Sequence, residues 1–285
     1  MKIYPIETGN LKLDGGAMFG VVPKTLWQKL YPCDENNLCN WAMRCLLIID
    51  EDRKILIDNG IGDKQDEKFL KHYYLNGDDD LEKSLAKLGF TPNDITDMIL
   101  THLHFDHCGG SIKYADNNKD FEPAFKNANY WVSKKQYNWA VEPNHRESAS
   151  YLKENILPIE ESGQLKLIEE ESEILPNINV KLFDGHTDGQ IIPYINYHGK
   201  ILAFTADLLP STVHVPLPWI MAYDTRPLIT LEDRQIFYKE VLKKDITLFF
   251  EHDLYNECCT LQKTDKGVRV KETFPLNKFI EEADK

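Results

Sequence analysis

The sequence predicts an α/β fold built on mixed β-sheet, and three observations carry that expectation. Apolar runs of strand length recur along the chain. Some are joined by very short turns, which only antiparallel neighbours allow. Others stand alone beside segments of helical spacing, as strands with crossover connections do. No repeat, low-complexity tract or Gly/Pro-rich linker divides the 285 residues, so a single domain spanning 1–285 is expected.

Taken in order, residues 44–50 and 54–58 read as two strands, and Glu51-Asp52-Arg53 between them is short enough for a hairpin. Asp80 offers an N-cap to a helix whose Leu81, Leu85 and Leu88 recur at helical spacing, and Gly89 stops it. A strand over 95–100 runs directly into Thr101-His102. Further strands are expected at 129–133, 178–183, 191–197 and 200–205, the last two separated by a His198-Gly199 turn. A helix from about 231 to 244 precedes a final strand at 246–250. The acidic runs Asp78-Asp79-Asp80 and Glu169-Glu170-Glu171 read as solvated surface.

Composition excludes several classes. A formal charge of −13 opposes binding to nucleic acid by general phosphate attraction. The longest unbroken apolar runs fall far short of the ~20 residues that span a bilayer. The opening Met1-Lys2-Ile3-Tyr4-Pro5 turns polar too soon for a secretory signal. Six cysteines without a C-x-x-C pair suit reduced thiols, so a cytoplasmic protein with no membrane and no nucleic-acid partner is expected.

The informative segment is Thr101-His102-Leu103-His104-Phe105-Asp106-His107-Cys108-Gly109-Gly110. Three histidines and an aspartate emerge from a strand end, and Gly109-Gly110 is expected to give backbone freedom behind them. Imidazole and carboxylate donors suit zinc and other borderline divalent ions in an open catalytic site, whereas a structural zinc site would be rich in cysteine. Four donors in one tight turn divide naturally into His102 with His104 and Asp106 with His107. Two ions need further donors, and three candidates stand at strand ends: His186 in Asp184-Gly185-His186-Thr187-Asp188-Gly189, Asp207 in Phe204-Thr205-Ala206-Asp207, and His252 in Phe250-Glu251-His252. His102, His104 and His186 would then hold one metal, Asp106, His107 and His252 the other, and Asp207 would bridge them.

The order His-x-His-x-Asp-His-x-Gly-Gly, Gly-His-Thr-x-Gly, an Asp after a strand and a late His resembles the metallo-β-lactamase-fold hydrolase superfamily. The wording of the first motif is similar to its N-acyl-homoserine lactonase branch. That resemblance implies an αβ/βα sandwich of two mixed sheets flanked by helices, with a dinuclear metal centre, most simply zinc although iron, manganese or cobalt would suit the donors. It also implies hydrolysis of a small-molecule lactone or ester by a hydroxide bridging the metals, with Asp106 as the catalytic carboxylate that carries a proton to the leaving group. One departure stands out. Several such lactonases carry a Tyr three residues after the bridging Asp, where this chain has Pro210, and Tyr223 is the candidate replacement.

Two loops would wall the pocket: 15–23, with Met18 and Phe19, and 210–223, with His214, Trp219 and Tyr223. His214 is also a candidate to orient a metal ligand. Alternatives on the same centre are a phosphotriesterase and a thioester hydrolase of the glyoxalase II type, followed by a nuclease or a non-catalytic metal-binding protein. A homodimer is left open.

Overall fold

The structure is a computed structural model that describes residues 1–117 and 119–285. Its strands are β1 (Lys2–Asp14), β2 (Leu38–Asp50), β3 (Arg53–Ile57), β4 (Asp97–Ile99), β5 (Ile112–Tyr114), β6 (Phe121–Pro123), β7 (Asn129–Ser133) and β8 (Leu165–Ile168). After these come β9 (Glu173–Leu175), β10 (Ile178–Phe183), β11 (Gln190–Tyr197), β12 (Lys200–Phe204), β13 (Thr247–Phe249), β14 (Cys258–Thr264) and β15 (Gly267–Phe274). The chain forms two compact units: Met1–Leu11 with Met43–Glu170, and Lys12–Ala42 with Glu171–Lys285. Among the described residues no helix is long and apolar enough to cross a membrane.

A six-stranded sheet runs β1-β2-β3-β4-β7-β8. Its β2–β3 hairpin is the expected one, with Asp50 opposite Arg53, so only Glu51 and Asp52 make the turn. Glu51 takes φ 52°, the left-handed conformation that such tight hairpins require. From β3 onward the pairing turns parallel: Ile57 lies beside Ile99, and Ile99 beside Trp131. β2 is apolar almost without interruption because both faces are covered, and Cys45, Leu47, Leu56, Met98, Leu100, Tyr130 and Val132 share one core. The helix Leu81–Lys87 forms as expected, with the Asp80 carboxylate accepting the Lys83 N–H.

The seven-stranded sheet runs β15-β14-β13-β12-β11-β10-β9. It is antiparallel except at β12 and β13, which lie parallel with Phe204 beside Phe249. The helix expected from 231 begins earlier, at Pro227, and runs to Lys244. Proline suits that first turn because its missing N–H has no intrahelical partner there. Both sheets are mixed, as expected. Strands β1, β14 and β15 go beyond the sequence reading; their outward residues are polar, so their apolar runs are short.

The two glycines after the histidine motif serve a different purpose from the one expected. Gly109 has φ −60°, an ordinary value, so conformational freedom is not what it contributes. A Cβ on Gly109 would lie 2.0 Å from the Ile61 carbonyl oxygen, and one on Gly110 2.5 Å from that of Asn59. The segment after β3 thus clasps the turn directly. Asn59 N–H donates to the His107 carbonyl at 2.9 Å, Gly110 N–H to that of Gly60 at 3.1 Å, and the Lys64 ammonium to that of Gly109.

Lys64 is buried, and desolvation pulls its pKa down to about 8. Its charged form therefore destabilises the fold fully below pH 8, and the penalty is relieved as pH rises toward the unfolded value near 10.5. Chemical denaturation across pH 7–10 is expected to show stability that climbs in the wild type relative to Lys64→Met, by at most about 3 kcal/mol. Parallel curves for the two proteins would contradict this account.

Candidate metal centre

The chemistry-bearing residues leave the ends of strands. Thr101 and His102 follow β4, and Asp58 follows its parallel neighbour β3. Asp207 follows β12, and His252 follows the parallel β13. His186 sits in the connection between β10 and β11. Parallel neighbours end on the same side, which is how side chains distant in sequence arrive together.

Asp58 organises the first donor set. Its Oδ1 accepts the Thr101 N–H at 2.8 Å, and its Oδ2 accepts the Thr101 hydroxyl at 2.6 Å. Having given its proton to Asp58, Thr101 Oγ1 can only accept from His102 Nδ1, 3.1 Å away. His107 Nδ1 also lies 3.1 Å from Asp58 Oδ2 and donates to it. One buried carboxylate therefore fixes the tautomers of two histidines, leaving Nε2 of each to offer its lone pair. His102 Nε2 lies 3.1 Å from His104 Nδ1. Two nitrogens bound at 2.0–2.1 Å to a tetrahedral zinc would stand about 3.3 Å apart.

A parallel device appears in the second unit. His186 Nδ1 donates to Asp224 Oδ1 at 2.9 Å, and His252 Nδ1 donates to the Ala42 carbonyl at 2.8 Å. Their Nε2 atoms then face the two oxygens of one carboxylate: His186 Nε2 is 3.2 Å from Asp207 Oδ2, and His252 Nε2 is 3.1 Å from Asp207 Oδ1. A lone pair directed at an anionic oxygen in a buried site needs positive charge between the two atoms, which a divalent cation supplies. Asp207 is turned toward this position by Ala206, whose φ of 41° is a strained, left-handed value for a residue with a Cβ.

Within the first unit His102, His104, Asp106 and His107 stand together on the connection after β4, and within the second His186 and His252 flank Asp207. Of the seven residues expected as ligands, four lie in the first unit and three in the second. Asp58 and Asp224 were not foreseen from the sequence. Asp58 carried a usable signal, an acid ending the apolar run Ile55-Leu56-Ile57, whereas Asp224 lies in irregular chain 38 residues beyond His186.

The candidate pocket residues fall into two groups. Met18 and Phe19 are buried on a short helix, Gly15–Phe19. Phe19 stacks on Trp27 and on His214, with centroids 4.9 and 4.8 Å away. Both ring nitrogens of His214 are engaged, Nδ1 with Ser211 Oγ at 2.7 Å and Nε2 with the Met18 carbonyl at 2.8 Å. Burial first, and then the Arg234 guanidinium, pulls the His214 pKa down to about 3, so the ring is neutral at ordinary pH. His214 ties the segments around Met18 and Ser211 together, and neither of these nitrogen partners is a candidate metal ligand. Trp219 meets Phe19 edge-on at 6.1 Å, and Tyr223 is 41% exposed.

The model of the metallo-beta-lactamase superfamily matches residues 44–252. An N-acyl homoserine lactonase from Bacillus thuringiensis is 27% identical over 270 residues, covering 90% of this chain and 94% of that protein. The solved structure of a probable metal-dependent hydrolase from Staphylococcus aureus aligns with a TM-score of 0.86 at 30% identity over 96% of each chain. That of AidC, a dizinc quorum-quenching lactonase, aligns with a TM-score of 0.79 at 24% identity, over 96% of this chain and 95% of the other. With residues 44–252 matched by that family model and its mixed sheets flanked by helices, the chain belongs to the metallo-beta-lactamase superfamily.

Proposed function

We propose that this metal-dependent hydrolase opens a small lactone or carboxylic ester, in the manner of the N-acyl homoserine lactonases it resembles, at a centre holding two divalent ions, most simply zinc. The observation that carries the reading is Asp207, whose two oxygens are divided between His186 and His252. A carboxylate so shared is what a pair of ions requires. His102, His104 and His186 would hold one ion and Asp106, His107 and His252 the other. When bound, the metals would supply Lewis-acid polarisation of the carbonyl and an activated water.

The chain's own groups do the rest. Asp58 and Asp224 hold the imidazoles in the tautomers that present lone pairs inward. Asp106 is the most solvent-accessible of these carboxylates, its side chain 13% exposed and its Oδ2 3.9 Å from His107 Nε2. A carboxylate that touches both the donor set and solvent suits transfer of a proton to the leaving alkoxide. Trp219 and Tyr223 are assigned to the pocket surface, with Met18, Phe19 and His214 backing that wall. The negative charge of the chain fits a small neutral substrate rather than nucleic acid.

Three results are expected. Purified protein should carry close to two equivalents of metal, and of a lactone, an aryl ester, a phosphotriester and a thioester it should turn over the lactone fastest. Preference for the phosphotriester or thioester would transfer the assignment to that chemistry. Asp106→Asn should lose about 100-fold or more in kcat while still binding some metal, and a near-wild-type rate would remove the proton-transfer role. Asp58→Asn and Asp224→Asn should each weaken metal binding by about 10- to 100-fold in a competition titration with a chelator, whereas unchanged affinity would show that the tautomers are fixed by other means.

A further inference from the structure

The geometry points to Asp233 and Arg234, neighbours on the helix Pro227–Lys244, as the residues that set the spacing between His186 and Asp207. The inference rests on the reading of these two as metal ligands. It concerns positioning residues, since neither side chain is among the donors.

Asp233 acts on the His186 loop. Its Oδ2 accepts both the Asp184 N–H at 3.0 Å and the Gly185 N–H at 2.9 Å. Consecutive backbone donors on one oxygen fix the orientation of the two peptides that lead into His186. The helix lies flush against that point, because a Cβ on Gly185 would stand 2.4 Å from Thr230 N. The far side of the loop is also bound to this end of the helix, as Thr225 N–H donates to the His186 carbonyl at 3.0 Å and Arg226 N–H to that of Gly185 at 2.9 Å.

Arg234 acts on the segment that follows Asp207. Its guanidinium is fully buried and donates from Nε to the Leu208 carbonyl at 2.8 Å, and from Nη1 to those of His214 at 3.1 Å and Trp219 at 2.7 Å. All three of these acceptors are neutral carbonyl oxygens. Burying a guanidinium against carbonyls alone is costly, and a neutral side chain would fill the space more cheaply. What the cation uniquely provides is a planar fork that gathers three carbonyls from the twelve residues 208–219. The first of them belongs to Leu208, next to Asp207.

The two contacts come from adjacent residues of one rigid helical turn, so the distance between the His186 loop and the Asp207 segment is set by the helix. Loosening either contact would let one metal donor drift while the other stays. Loss of bound metal, more than loss of folding, is the consequence.

The test loads wild type, Asp233→Ala, Asp233→Asn, Arg234→Lys and Tyr238→Phe with zinc. It then measures zinc release to a chromogenic chelator, together with the Tm of each metal-free protein. Tyr238→Phe is the control for general loosening, because the Tyr238 hydroxyl donates to the Val215 carbonyl from the same helix at 2.8 Å. Asp233→Ala and Arg234→Lys are expected to release zinc about tenfold faster or more. Asp233→Asn, which keeps an acceptor oxygen, should recover most of the wild-type rate, and Tyr238→Phe should stay near it. Release from Asp233→Ala and Arg234→Lys at the wild-type rate would overturn the proposal. So would equal acceleration in Tyr238→Phe, or acceleration that merely follows the fall in metal-free Tm. A wild-type chain that takes up no zinc would instead fail the reading of the ligands and take this proposal with it.

Discussion

A buried imidazole can direct a lone pair inward only if its other nitrogen is held by something that accepts a proton. That requirement shapes the whole centre. Asp58 meets it for His107 directly and for His102 through the Thr101 hydroxyl, Asp224 meets it for His186, and the Ala42 carbonyl meets it for His252. Each of these acceptors must itself be fixed, and each is fixed by a strand end or by a short bound segment. The hydrogen-bonded frame is therefore as much a part of the site as the donors are.

The two units solve this problem in similar ways. In each, a pair of parallel strands delivers a ligand-bearing segment, and a carboxylate beyond the donors orients an imidazole. They differ in how the adjoining chain is held. Around His107 the backbone of residues 59–62 presses directly on Gly109 and Gly110, and side chains there are absent by necessity. Around His186 and Asp207 the long helix supplies charged side chains that reach into the loops. The first arrangement depends on close approach of main chain, the second on charge-assisted hydrogen bonds.

Much of this was legible in the sequence. The H-x-H-x-D-H spacing singled out the candidate metal ligands of the first unit, and the position of His186, Asp207 and His252 after apolar strands singled out the other candidates, since a strand end is where a polar residue follows a run that must be buried. The supporting carboxylates were not legible in the same way. A holder such as Asp224 obeys no local pattern; its role exists only once the chain has brought it to His186. Strand β1 and the β14–β15 hairpin were missed because alternating polar residues dilute their apolar signal. Gly109 and Gly110 were noticed for the wrong reason, because a sequence records that a side chain is missing but not what would have collided with it.

Within each unit the strand directions also separate a constrained end from a permissive one. Asp58 and Asp207 leave the carboxyl ends of β3 and β12, while the turns at Glu51-Asp52 and His198-Gly199 enter those same five-residue strands from the other side. Five extended residues span roughly 16 Å. Epitope tags, fluorophores or surface tethers grafted at these two turns would sit about a strand length from the supporting carboxylate and the shared one, so the protein offers attachment points remote from its chemistry.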